Sequence, residues 1–206
     1  MSDVEYLING KVGLEQFSKG YLGKISKLLE QLDVSKIKEF VEELEKARKN
    51  QNTVFFVGNG GSAATASHMV NDLGIGARTN TGSSIKVLAL TNNVSVMTAI
   101  ANDNGYNNIF LNQIQVHYRP GDKLVVISAS GNSSNVVAVA EWVKKKGGVV
   151  IGLLGFDGGR LKEISDIPII VKTEKGEYGP VEDIHMIIGH LIHAWLRYGN
   201  RLGENK

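Results

Sequence analysis

The chain opens on a period of three to four residues. Tyr21, Ile25, Leu28, Leu29 and Leu32 recur at helical spacing, and Val34, Ile37, Phe40, Val41 and Leu44 repeat it after a break near Asp33. Two amphipathic helices joined close to Asp33 are predicted. From residue 53 the period changes. Thr53–Val57, Ile85–Leu90, Leu124–Ile127, Val149–Leu154 and Ile167–Val171 are short β-branched runs between turn residues. Between these runs, Ser62–Leu73, Val94–Ala101, Asn107–Tyr118 and Asn132–Lys146 carry helical spacing. A last helix is predicted from near Pro180, a residue suited to a first helical turn, to about Tyr198. Strands that read as unbroken apolar runs and alternate with helices define an α/β fold whose parallel sheet is covered on both faces. The expected architecture is a single three-layer α/β domain over 51–200, a five-stranded parallel sheet flanked by helices. A helical arm over 1–50 precedes it, and a polar tail over 201–206, expected to fray, follows.

Composition narrows the chemistry. The chain has no cysteine, which excludes a disulfide scaffold, a thiol nucleophile and every cysteine-bound metal. Any metal must rest on histidine, carboxylate or amide ligands. The 23 basic residues against 21 acidic ones give a net charge of +2, too near balance to mark a nucleic-acid surface. The opening MSDVEYLINGK lacks the basic and apolar regions of a secretory signal. The longest apolar stretch, Ile184 to Leu196, is broken by three histidines and falls short of the ~20 residues of a membrane span. A soluble, cytoplasmic protein with no nucleic-acid or membrane partner is expected. The 24 glycines in 206 residues exceed the usual share of about 7% and should gather where backbone meets a ligand or turns sharply.

Two glycine-containing loops follow predicted strands. The first, FFVGNGGSAATASH at 55–68, formally matches a dinucleotide fingerprint at Gly58, Gly60 and Ala63. That fingerprint requires an acid at the end of the next strand to hold a ribose, and Thr91-Asn92-Asn93 stands there instead. No nucleotide cofactor is expected, and the loop is assigned to a ligand through its amides and the Ser62 hydroxyl. The second, VVISASGNSSN at 125–135, offers Ser128, Ser130, Ser133 and Ser134 around Gly131 at the start of a helix. Free amides plus several hydroxyls suit a phosphomonoester. Without the lysine-containing phosphate loop, a triphosphatase is excluded.

The third signal is a set of proton-transfer groups. His68 and Asp72 stand four residues apart, on one face of a helix. On the last helix, Glu182, Asp183, His190 and His193 fall within an arc of about 100°, with His185 off it. His117, beside Tyr118 and Arg119, is assigned to the surface or an interface. Lys144–Lys146 complements a helix terminus, and Trp142 and Trp195 are packing residues, with subunit contact open to both.

Five segments in order, GNGGSAATASH, AIANDNGYNNIF, RPGDKLVVISASGNSSNV, GGVVIGLLGFDGG and VEDIHMIIGHLIH, resemble the phosphoheptose isomerases of the sugar isomerase (SIS) domain family, over residues 1–198. The resemblance implies interconversion of sedoheptulose 7-phosphate and D-glycero-D-manno-heptose 7-phosphate, an opening step of activated-heptose synthesis. It also implies a homotetramer with active sites between subunits, the N-terminal arm serving oligomerisation, and zinc. Carried over residue by residue, Asn59, Gly60, Gly61 and Ser62 match the substrate-contacting first loop. Asn102 and Asp103 match a sugar-contacting pair, and Ser128, Ala129, Ser130 and Ser133 match the phosphate loop. His68 and His190 match a metal ligand and a metal or proton-transfer histidine. Two positions depart from the family pattern: Asp72 stands where a glutamate is usual, and Glu182 where a glutamine is usual. The implied catalytic set is Asp72, Glu182 and His190, and the implied zinc ligands are His68, Asp72, Glu182 and His190. Asp72 or Glu182 would take the carbon-bound proton and His190 would serve the oxygen. An isomerase of another phosphosugar, and a non-catalytic phosphosugar- or replication-initiator-binding relative, are the alternatives. The carboxylates and imidazoles favour the enzyme.

Overall fold

A computed structural model of the chain describes residues 12–77 and 83–199. The first eleven residues of the expected arm and the 201–206 tail lie outside the described residues. Two long helices come first, α1 (Leu14–Glu30) and α2 (Val34–Asn50), and Asp33 caps the second by accepting from the Ser35 amide at 3.0 Å. Next come β1 (Thr53–Gly58), α3 (Gly60–Asn71), a π-helical turn (Asp72–Gly76) and β2 (Lys86–Ala89). Then follow α4 (Val94–Asn104), a 3₁₀ turn (Tyr106–Asn108), α5 (Leu111–His117), β3 (Lys123–Ser128) and α6 (Ser134–Lys145). The chain ends with β4 (Val149–Gly155), α7 (Gly159–Ile164), β5 (Ile167–Val171) and α8 (Tyr178–Tyr198).

The five strands are all parallel, in the order β2-β1-β3-β4-β5. Period-two alternation along β1 sends neighbours to opposite faces. Val54 and Phe56 join α2, α3 and α8, while Phe55 and Val57 join α5 and α6. The core thus lies in two layers, one on each face of the sheet. Each fully buried phenylalanine, such as Phe40 on α2 or Phe110 ahead of α5, contributes about 1.5–3 kcal/mol. Within the N-terminal arm, α2 is core structure, burying Ile37, Phe40, Leu44 and Ala47, whereas α1 buries only Leu28. Helix α4 buries none of its residues, and Val94 and Val96 are exposed on it.

Several elements differ from the periodicity reading for local reasons. The predicted helix over 107–118 is interrupted after the 3₁₀ turn. There the Asn108 side chain donates to the Asn104 carbonyl at 2.6 Å, and Asn107 accepts from Ser134 Oγ at 2.5 Å. Such side-chain bonds compete with the helical ladder. Helix α7, six residues long with glycine at its start, is too short to carry a readable period. Helix α3 widens at Asp72 into the π turn, closed by the Ala77 amide donating to the Asp72 carbonyl at 2.8 Å.

Candidate active site

In a doubly wound sheet of this order the topological switch lies between β1 and β3, and ligands sit beyond the carboxyl ends of those strands. Both glycine-containing loops are there. Asn59 ends the β1 turn, and its side-chain amide forms a reciprocal pair with that of Asn135 on α6, at 2.9 and 3.0 Å. Tyr106 Oη donates to Asn59 Oδ1 at 2.9 Å. The pair locks the two loops across the crevice. Asn135 and Tyr106 are additions to the residues expected from the sequence, and each lies within a segment that carries the family resemblance.

The second loop is held from behind. Gly131 has φ +62°, and a Cβ there would lie 1.9 Å from the Gly158 carbonyl oxygen, so only glycine fits. The Leu161 amide donates to the Gly131 carbonyl at 2.9 Å and the Arg160 amide to Asn132 Oδ1 at 2.9 Å, so the start of α7 backs the loop. Ser128 is buried, with Oγ accepting from the Gly131 amide at 3.2 Å and lying 3.4 Å from Ser133 Oγ. Ser130 Oγ accepts from the Asn132 amide at 3.3 Å, and Ala129 is buried. Ser133 occupies the N-cap of α6 yet makes no side-chain capping bond. The serines therefore line the loop rather than serve as caps.

Helices α3 and α8 lie side by side and run parallel, Gly61 meeting Glu182 at one end and Gly76 meeting His193 at the other. Near their starts a Cβ on Gly61 would fall 2.2 Å from Glu182 Oε2, so the Glu182 carboxylate rests on the first loop. Burial, with the nearby Asp183 charge, raises the Glu182 pKa above the ordinary carboxylate value. Ser62 is buried at this end and Gly60 has φ +53°. From Ser62 to His68 the helix advances about 9 Å. There His68 Nε2 and His190 Nε2 are 2.9 Å apart, and Asp72 Oδ2 lies 3.3 Å from the first and 3.8 Å from the second. One ligand atom from each of His68, Asp72 and His190 falls within 4.8 Å of the others. The two imidazoles are about half exposed, 42% and 54%, while the Asp72 side chain is 11% exposed. Within one chain Glu182 stands two turns before His190, about 12 Å along α8, and does not enter this group.

The remaining residues of the arc diverge. Asp183 accepts from Tyr21 Oη of α1 at 2.6 Å, and burial plus that bond pushes the Tyr21 pKa up to about 12. His193 Nδ1 approaches Asp72 Oδ2 at 3.4 Å. His185, off the arc, is fully buried with Nε2 3.1 Å from the Leu154 carbonyl, and burial lowers its pKa to about 4. Asn102 and Asp103 are exposed at the end of α4, bonded to each other at 2.8 Å. His117 is exposed at the end of α5, Trp142 packs edge-on to Tyr118, and Trp195 is 54% exposed.

The donor set suits a divalent ion. Two imidazole nitrogens and one carboxylate oxygen, open to solvent on the imidazole side, are the three-protein-ligand composition of catalytic zinc sites. A hydroxyl-lined anion loop at the switch point, with an acid–base group along the neighbouring helix, suits proton transfer on a phosphate-bearing substrate. Comparison with known proteins agrees: residues 20–155 match the SIS domain, and the chain belongs to that family. It is 42% identical over 139 residues to the phosphoheptose isomerase of Rhodospirillum rubrum, covering 68% of this chain and 72% of that one. It is 36% identical over 178 residues to phosphoheptose isomerase 2 of Campylobacter jejuni, covering 86% and 87%. The phosphoheptose isomerase structure from Neisseria gonorrhoeae superposes with a TM-score of 0.78 at 27% identity, covering 89% of this chain and 98% of that one. Among the described residues no helix is long and apolar enough to cross a membrane.

Proposed function

We propose that this chain interconverts sedoheptulose 7-phosphate and D-glycero-D-manno-heptose 7-phosphate through a cis-enediol, as an opening step towards activated heptose. The carrying observation is the parallel α3–α8 pair, which sets acid–base groups along the helix from an anion-type loop. A seven-carbon chain bearing its phosphate at the far end needs that separation. The Ser128–Ser133 loop anchors the phosphate, and the binding energy gained there orients the open-chain sugar. Asn59–Ser62 and the Asn102–Asp103 pair contact its hydroxyls. Asp72, 3.8 Å from His190, or Glu182, with its pKa raised and brought to the same sugar across a subunit boundary, takes the carbon-bound proton, and His190 serves the carbonyl oxygen. His68, Asp72 and His190 would hold zinc, which would supply polarisation of the substrate oxygens.

Exposed Ile75, Leu191 and Trp195 lie on the same two elements as the ion-binding group, an apolar rim of the kind subunits cover. The rim supports subunit contact at the site; a homotetramer with its sites at subunit boundaries, in the cytoplasm, is the assembly proposed from the family resemblance. The test is NMR of the purified protein with sedoheptulose 7-phosphate in deuterated water, with and without zinc. Aldoheptose carrying deuterium at C2 is the expected outcome. Activity only on a different ketose phosphate would change the sugar and keep the chemistry. Silence across a phosphosugar panel would replace the isomerase with a binding protein.

A further inference from the structure

Three imidazoles converge on one carboxylate oxygen. His68 Nε2 and His190 Nε2 face each other at 2.9 Å and lie 3.3 and 3.8 Å from Asp72 Oδ2. His193 Nδ1 reaches the same oxygen at 3.4 Å but stands outside the group whose ligand atoms lie within 4.8 Å of one another. It therefore touches Asp72 without belonging to that group. Its seat is built for it. A Cβ on Gly76 would fall 2.7 Å from His193 Nε2 and 3.0 Å from its Cε1, so the glycine of the π turn leaves room for the ring. Nε2 is buried there with no hydrogen-bond partner, which keeps it from any ion in the open group. An ionised carboxylate only accepts, so this polar contact is favourable with the proton on Nδ1 and the lone pair on Nε2.

We propose that His193 is a positioning residue that holds Asp72 Oδ2 in the ion-binding group with His68 and His190. Outer partners that fix a ligating carboxylate characteristically set metal affinity. Asp72 has particular need of one. It is one methylene shorter than the glutamate usual at this position in the resembling family, and it stands where α3 widens into the π turn. A polar contact from outside the group favours one rotamer of so short a side chain. His193, one turn beyond His190 on the same face of α8, supplies it.

The inference rests on the reading that the group holds a divalent ion, and the experiment keeps the two apart. The full chain, stripped with chelator, is titrated with cobalt(II) and followed by its visible absorption, while heptose phosphate turnover is measured separately. His193→Ala is expected to weaken cobalt binding about 10–100-fold and to alter the absorption band, while His193→Asn, whose amide nitrogen falls near Nδ1, stays within about threefold of wild type. Unchanged affinity and spectrum in His193→Ala would overturn the proposal. Equal losses in both variants would also overturn it, since they would mark packing rather than a polar contact to Asp72. Should His193→Ala fail to fold, Gly76→Ala decides, because it displaces the ring without removing it: weaker cobalt binding supports the role and unchanged binding overturns it. A wild-type chain that takes up no cobalt yet isomerises the sugar overturns this inference and leaves the isomerase standing. Cobalt results as expected with no turnover leave His193 in its role and remove the isomerase.

Discussion

The serine loop and the group of His68, Asp72 and His190 are built by different means. The loop over 128–133 consists of backbone and hydroxyls and is braced by α7 through Gly131 and Asn132. The group of His68, Asp72 and His190 consists wholly of side chains on two helices. Its imidazoles are half open to solvent and its surroundings include exposed Ile75, Leu191 and Trp195. One region is a property of the sheet's carboxyl edge, and the other of the register between α3 and α8. Binding and chemistry should therefore be separable by substitution.

The largest effect is expected at Asp72. Asp72→Asn keeps the shape of a side chain that is mostly buried but removes the charge, and turnover should fall about 10³-fold or more with little change in substrate KM. Steady-state kinetics and deuterium incorporation check this. An unchanged rate would strip the group of its role and erase the contrast with the loop.

That contrast also decides what is legible in the amino-acid sequence. The two loops are legible because each is contiguous: strand, glycine, hydroxyls and helix start all lie within eleven residues of sequence at 125–135. The pairing of His68 with Asp72 follows from helical arithmetic, and so does the shared arc of Glu182, His190 and His193. What crosses between helices is not legible. Nothing in the spacing tells that Glu182 rests on Gly61 while His190 meets His68, because that follows from the parallel packing of α3 on α8. The Asn59–Asn135 lock is hidden likewise, since its partners are 76 residues apart. The π turn at Asp72 has no signature in hydrophobic period, since one added residue per turn only shifts the phase.

Glu182 sits between the two regions and tests where the base lies. Glu182→Gln should lower turnover about 10²-fold at neutral pH. A base must be deprotonated to act, and burial raises the Glu182 pKa. The acid limb of the wild-type rate profile should therefore lie above the ordinary glutamate value, with activity falling as pH drops through it. Loss of that limb in Glu182→Gln identifies its owner. Faster turnover in the variant would remove Glu182 from proton transfer altogether.

Gly131→Ala addresses the anchor alone. The new Cβ meets the Gly158 carbonyl at 1.9 Å and the backbone stands at φ +62°. The loop must move, at a cost of about 1–3 kcal/mol in strain. Substrate KM should rise roughly tenfold, as the loop loses about 1.4 kcal/mol of phosphate binding, while cobalt affinity stays put. A fall in cobalt affinity instead would mean that loop and group are coupled.

The smallest effect at neutral pH is expected at His185, where the two regions are mechanically joined. Its ring on α8 contacts the Leu154 carbonyl of β4 at 3.1 Å, and Leu154 lies in register with Ser128 of the anchoring loop. Buried and neutral, His185 has its pKa lowered to about 4, whereas the unfolded chain binds that proton near pH 6.5. Between these values the unfolded state holds more protons, so stability must fall as pH drops from about 6.5 towards 4. His185→Gln retains an amide donor for Leu154 and has no proton to take up. Its melting temperature should match wild type closely near pH 8 and decline less on acidification, which a series of thermal melts would register. Parallel acid sensitivity in both proteins would place the acid-labile joint elsewhere, and the fastening of α8 to the sheet would then rest on its apolar face of Ile184, Ile188 and Ile192.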